Sequence, residues 1–277
     1  MSDPDYQHLS IERDGSRTTV WLDRPEVLNA FDAQLIDDLT RCFAWLSDDD
    51  ATRVVILAGR GTAFCAGADI NWMRASVKFS RQQNVDDATR MARMLAAIAS
   101  CSRPVVCRVH GLAIGGGLGL VAAADYAVAE AGASFAFSEV KLGILPAVIS
   151  PFVIGRIGTG QARPLFVTGE RFDTERALRI GLLHAVCDDA TALDDEVDRI
   201  VAEIQTAAPE AISVTKRMLE VIGTSSYREA MSQTVETIAT KRTDPEGQEG
   251  LTAFLERRRP AWMAQDHEPA WLAGRSR

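Results

Sequence analysis

The 277-residue chain lacks any apolar run near the ~20 residues that a membrane-spanning helix needs, which excludes a helical membrane protein. It also lacks a basic excess: 30 Lys and Arg stand against 38 Asp and Glu, for a formal net charge of −8. A non-specific nucleic-acid binder shows a basic surface, so nucleic acid is not an expected partner. An anionic small ligand stays open, since local Arg and Lys suffice for one. Histidine is scarce: His8, His110, His184 and His267 lie far apart, no His/Cys cluster has zinc spacing, and no metal is expected. The cysteines Cys42, Cys65, Cys101, Cys107 and Cys187 are odd in number and show no paired spacing. The opening stretch MSDPDYQHLSIERDG is polar and acidic, unlike a secretory leader. Reduced thiols in a cytoplasmic protein are therefore expected.

What is present is ordinary globular composition, 47% hydrophobic and 25% charged, enough for one large domain or a domain with an appendage. HLSIER and TTVWLDR read as strands joined by an Asp14-Gly15 turn. Next, Leu35, Leu39, Phe43 and Leu46 recur with helical period behind Asp32, a plausible N-cap. RVVILAGRG and PVVCRVHG read as buried strands, the 115–124 segment as a helix, and DYAVAEAGASFAF as two short strands. This alternation predicts an α/β fold with largely parallel pairing. From Asp188 to about Arg259 the pattern turns helical, with Pro209 and Pro245 near helix starts. These amphipathic helices must cover the α/β core, a neighbouring subunit, or both. We divide the chain into a core over 1–195 and a helical region over 196–277.

Three segments carry chemistry. In VHGLAIGGGLGL, three consecutive glycines separate a strand-like run from a helix-like run. Such a junction presents free N–H groups and the positive end of a helix dipole, suited to an anion or a polarised carbonyl; it is equally suited to a close-packed turn. In GTAFCAGADINWM, Ala66–Asp69 follows the strand RVVILAG, at the strand end where α/β proteins bind ligands. Asp69 suits the cap of a helix beginning near Ile70, and Cys65, without a His or Asn partner nearby, suits a buried thiol. In FSEVKLGILPAVISP, Glu139 is flanked by apolar residues. In an apolar pocket its pKa rises towards the range useful for proton transfer; on the surface it pairs with Lys141 instead. Pro146 and Pro151 shape a rigid loop.

FCAGADI, HGLAIGGGLGL with AAADYAVA, SEVKLGILPA and TGERFDTERALRIGLLHAV, in this order, resemble the enoyl-CoA hydratase/isomerase, or crotonase, superfamily. RPEVLNAFD and GLTAFLERRRPAW fit as well, so the resemblance runs from about Leu9 to Trp262. SEVKLGILPAVISPFVI is similar to the bacterial hydratases of branched, carboxylated substrates such as methylglutaconyl-CoA. The resemblance implies a spiral of ββα units with a C-terminal helical trimerisation region, an acyl-CoA thioester substrate, and no cofactor beyond the coenzyme A of the substrate. It implies a homotrimer or dimer of trimers. It implies an oxyanion hole from the N–H groups of Ala68 and Gly116, with Glu139 as the acid–base residue. Ala66, Gly67, Asp69 and Ile70 would belong to the thioester site. Glu26, Val27, Leu28 and Ala30 would lie along pantetheine and adenine, and Arg24 near the phosphates. Phe254 and Arg257 of an adjacent subunit would close the coenzyme A site.

The chain departs from the family at one place. Two-carboxylate hydratases carry a Glu two residues after the glycine triplet, where this chain has Gly119. Three readings follow. In the first, a hydratase, Glu139 activates water and returns a proton to C2. In the second, a Δ3,Δ2-enoyl-CoA isomerase, Glu139 alone carries a proton between C4 and C2. The third is a non-catalytic coenzyme A or RNA binder, which the interspersed Arg74, Arg81, Asp86, Asp87, Arg90 and Arg93 do not favour, since they read as a solvated helix face.

Overall fold

A computed structural model describes residues 4–263. Two strands, β1 (Leu9–Asp14) and β2 (Arg17–Leu22), form an antiparallel hairpin, with Asp14 paired to Arg17 across the turn. Gly15, at φ +57°, takes the left-handed turn conformation that glycine adopts without steric cost. Helix α1 (Ala33–Asp48) follows; the Asp32 carboxylate accepts the Leu35 N–H at 2.8 Å, as the sequence predicts for its cap. Strand β3 (Val54–Gly59) then pairs parallel to β2 and is buried along its whole length.

The unit recurs. After α2 (Ile70–Ser76) and α3 (Arg81–Ala99), strands β4 (Val105–Val109) and β5 (Leu112–Ile114) lead into α4 (Gly116–Ala123) and β6 (Tyr126–Glu130). Two further short strands, β7 (Ser134–Ala136) and β8 (Arg171–Asp173), flank α5 (Ser150–Thr168); α6 (Thr174–Arg179) and β9 (Ala185–Cys187) complete the core. A six-stranded sheet has the order β1-β2-β3-β4-β6-β9 and a three-stranded sheet the order β5-β7-β8. Beyond the opening hairpin, the larger sheet is parallel throughout. This is the expected α/β spiral of ββα units. A parallel sheet must be covered on both faces, and it is: α1, α3 and α4 lie over one core cluster, while Val54, Ile56, Val106 and Val128 meet helix α7 (Ala190–Thr206) on the other.

That packing moves the domain division. A boundary between 195 and 196 cuts α7, whose Leu193, Val197, Ile200 and Val201 are buried against the sheet. The change in character comes instead at α8 (Pro209–Thr224), α9 (Tyr227–Thr243) and α10 (Pro245–Glu256). Pro209 and Pro245 stand in the first turns of their helices, as expected. These three helices pack chiefly on one another, and their buried residues are limited to Ser213 and Ala253. The sequence reads the α3 region only as a solvated helix face and Pro151 as part of a loop. Helix α3 has a mean composition polar enough to obscure its period, but Ser80 and Gln83 close a capping box at its start. Pro151 lies not in a loop but in the first turn of α5, where its missing N–H is harmless.

Candidate active site

The site is built where two loops meet at the start of α4. Cys65 lies beside Ala113, with its N–H on the Leu112 carbonyl at 3.1 Å and its carbonyl on the Ile114 N–H at 3.0 Å. Two residues on, Gly67 has φ +91°, and a Cβ there would stand 2.9 Å from the Ile114 carbonyl oxygen and 4.0 Å from the Gly116 nitrogen. Only glycine lets the loop come this close. Phe31 then bridges to Ala68 through its neighbours: the Phe31 N–H donates to the Gly67 carbonyl and its carbonyl accepts from the Asp69 N–H, at 2.6 and 2.8 Å. The Ala68 N–H takes no part in that pairing and faces away from Phe31. Gly116 opens α4, so its N–H has no partner within the helix, and the positive end of the helix dipole is centred there. Ala68 and Gly116 both line one cavity, so the wall holds the two backbone N–H groups that an oxyanion hole requires.

The cavity in front of them has a volume of about 300 Å³. Ala66, Gly67, Ala68, Gly116 and Glu139 line it, together with Phe31, Trp72, Met73, Met91 and the 142–149 segment. Glu139 is the single ionisable side chain of the lining. It starts a short 3-10 turn, Glu139–Leu142, and its Oε1 lies where a Cβ on Gly115 would come within 3.0 Å. Its Oε2 is buried without a hydrogen-bond partner, the carboxylate accepts from its own backbone N–H, and no ion pair joins it to Lys141 or another described residue. Burial pushes its pKa above the ordinary carboxylate value. The buried-pocket alternative is therefore the one realised, and the surface pair is not.

The missing second carboxylate has a structural replacement. A Cβ on Gly119 would fall 2.5 Å from Ile149 Cγ2 and 3.4 Å from Leu95 Cδ1. Ile149, at the N-terminus of α5, and Leu95, on α3, are both buried. They seal the wall that a glutamate would occupy. Gly119 lies behind that wall and does not line the cavity.

The other anticipated residues fall outside the cavity lining. The Asp69 carboxylate caps α2, accepting the Asn71 and Trp72 N–H groups at 2.7 and 3.2 Å, and accepts from Arg24 at 3.2 Å. Arg24 also lies 3.2 Å from Asp32, and its guanidinium donates to the Ala30 carbonyl at 2.5 Å. With its side chain 12% exposed, Arg24 ties the loop before α1 to the loop before α2; the guanidinium anticipated at the phosphates is engaged inside the protein. Glu26 and Val27 stand in a 3-10 turn, Pro25–Val27, followed by Leu28 at φ +54°. The Leu28 carbonyl accepts the Ala66 N–H at 2.9 Å, which sets this loop, with Ala30, beside the oxyanion loop. Ile70 is exposed at the start of α2, and Phe254 and Arg257 lie at the end of α10. Cys65 is fully buried, its thiol pushed up to about 12 by burial, so it is no nucleophile.

Two contributors escaped sequence reasoning. Asn29, fully buried at φ +56°, donates from Nδ2 to the Arg60 and Ala63 carbonyls at 2.9 and 2.8 Å and accepts the Arg24 N–H at 2.9 Å. A polar residue between Leu28 and Ala30 was the available signal. Trp72 lines the cavity with its Nε1 buried and unpartnered.

Comparison with known proteins shows the family. The enoyl-CoA hydratase/isomerase family model matches residues 12–265, and the chain belongs to that family. It is 27% identical to the crotonyl-CoA hydratase of Syntrophomonas wolfei over 94% of this chain and 99% of that one. It is 29% identical to the carnitinyl-CoA dehydratase of Escherichia coli over 94% and 99% of the two chains. The crystal structure of an enoyl-CoA hydratase from Shewanella pealeana superposes with a TM-score of 0.89 at 36% identity, covering 92% of this chain and 96% of that one. Among the described residues, no helix is long and apolar enough to cross a membrane.

Proposed function

We propose that the protein hydrates the 2,3 double bond of an enoyl-CoA thioester with Glu139 as its one acid–base group. The observation that carries this reading is Glu139 Oε2, buried and without a hydrogen-bond partner, on a residue that lines the same cavity as Ala68 and Gly116. The thioester oxygen accepts from the N–H groups of these two residues. As the oxygen of a water attaches to C3, Glu139 takes one of its protons and the C2=C3 electron pair moves onto the thioester oxygen. The enolate then collapses and C2 receives the proton from Glu139. The sequence is balanced and calls on no additional cofactor. Each oxyanion donor is worth roughly 3 kcal/mol of transition-state stabilisation.

The lining contains no Lys, Arg or His, so a terminal carboxylate on the acyl group would be buried beside Glu139 without a counter-charge. A neutral acyl group fits this cavity, and the carboxylated class suggested by SEVKLGILPAVISPFVI is disfavoured. The isomerase reading keeps one support: the wall sealed at Gly119 leaves a single carboxylate, all that a C4-to-C2 proton shuttle requires. The test is to mix the purified protein with crotonyl-CoA and follow the absorbance of the conjugated thioester. Steady loss is expected, and no loss across short neutral 2-enoyl-CoAs sinks the hydratase assignment.

We further propose that α8–α10 assemble a homotrimer or a dimer of trimers. Leu219, Tyr227, Met231, Val235, Leu251 and Leu255 are large apolar side chains left exposed on these helices. Phe254 and Arg257 then reach a neighbour's coenzyme A site, with Arg257 offering a bidentate phosphate contact. Sedimentation at a mass of three or six chains is expected; a single species of 30.1 kDa contradicts it.

A further inference from the structure

Eight described side-chain atoms are buried without a hydrogen-bond partner, and two of them, Trp72 Nε1 and Glu139 Oε2, are on residues that line the same cavity. Native proteins rarely leave such groups unsatisfied, and a cavity with two of them is shaped for a ligand that meets both needs. The chemistry of the pair is complementary. An indole N–H is a donor only, and an ionised carboxylate is an acceptor only. A single O–H group answers both, its lone pair to Trp72 and its proton to Glu139. Apart from Ser138, the remaining side chains of the lining offer no N–H or O–H group. Trp72 is also well held. Its own backbone N–H is bound by the Asp69 carboxylate at 3.2 Å, and Asp69 directly follows Ala68, so indole and oxyanion donor share one short segment.

We propose that the Trp72 indole N–H is the second polar anchor of the cavity, holding the oxygen of the water that becomes the 3-hydroxyl of the product. It stands in for the carboxylate that Ile149 and Leu95 exclude at Gly119. Trp72 donates throughout and exchanges no proton. The water's proton passes to Glu139 and on to C2, and its oxygen bonds to C3. This rests on the hydratase reading and adds to it a recognition element for a 3-hydroxyacyl group.

The experiment uses the intact protein with Trp72→Phe and with 3-benzothienylalanine at position 72, which replaces N–H by sulfur at nearly constant shape. Three quantities are read: hydration of crotonyl-CoA, binding of 3-hydroxybutyryl-CoA relative to butyryl-CoA, and exchange of the C2 protons of butyryl-CoA in D2O. The last needs Glu139 and the oxyanion hole but no bound water, and it also reports correct folding. Loss of the N–H is expected to lower kcat for hydration roughly ten- to a hundred-fold, with KM within about three-fold. The preference for the hydroxylated ligand is expected to fall roughly ten-fold and C2 exchange to persist. Hydration within about two-fold of wild type overturns the proposal, and so does a parallel fall in hydration and exchange, which marks a packing role. If the wild type exchanges C2 protons but hydrates nothing, the hydratase reading has failed and this proposal with it. If the wild type and both variants hydrate alike, only the role of Trp72 has failed.

Discussion

The two walls beside the start of α4 differ in a way that sets the chemistry. On one, Glu139 keeps a carboxylate in an apolar cavity with no ion pair and one oxygen wholly unsatisfied. On the other, Gly119 is packed by Ile149 and Leu95 so closely that even a methyl group has no room. The first wall gives up stability to hold a base whose pKa is raised by burial. The second is ordinary close-packed core. Gly119 is more than a position without a carboxylate. Hydrocarbon fills that space, and the proposed mechanism therefore asks one residue both to take up the proton and to return it.

The largest expected effect breaks the first wall. Glu139→Gln removes the base at nearly constant shape, and kcat for hydration is expected to fall by roughly 10³, with KM little changed. Retention of a tenth of the wild-type rate places the base elsewhere. Next, Gly119→Glu forces a carboxylate into the sealed wall. It is expected to destabilise the protein by about 3 kcal/mol in urea titration, without raising activity. Ile149→Ala in the same chain is expected to recover part of that loss. Wild-type stability for the single variant shows that the wall gives way.

A smaller effect lies in pH. The proposed mechanism requires Glu139 ionised, so the acid limb of kcat/KM is expected above the ordinary glutamate value of about 4.3, and above the same limb for a solvent-exposed carboxylate. For stability the sign is opposite. A raised native pKa means that the folded state holds the proton more tightly. The stabilising contribution is complete below the unfolded pKa and is lost as pH rises through the native one. Glu139→Gln is therefore expected to melt higher than wild type at pH 7, with the gap closing in acid. A variant that melts lower at neutral pH shows that the carboxylate is satisfied in solution.

Much of this was legible in the sequence. Caps at Asp32 and Asp69, prolines in helix first turns, buried parallel strands and the glycine junction all use local signals, and each lies where local chemistry puts it. Gly119 was recognisable as the place of an absent carboxylate. That Ile149, thirty residues away, fills its space depends on the packing of α5 against α4, a non-local fact with no signature in either segment. Arg24 shows the same limit from the other side. The resemblance implies a phosphate contact for Arg24, and only the fold reveals Asp32 and Asp69 beside it. Trp72 was hidden because a tryptophan on a short helix reads as core until its N–H is found without a partner.

The account's central claim, that one carboxylate suffices to add water, is tested most directly by oxygen transfer. The wild-type protein is incubated in H2(18)O with crotonyl-CoA and, separately, with a 3-enoyl-CoA, and the products are weighed by mass spectrometry. The expected result is 3-hydroxybutyryl-CoA carrying one solvent oxygen from the first substrate. Conversion of the 3-enoyl-CoA to its conjugated isomer without labelled oxygen, with crotonyl-CoA left untouched, contradicts it.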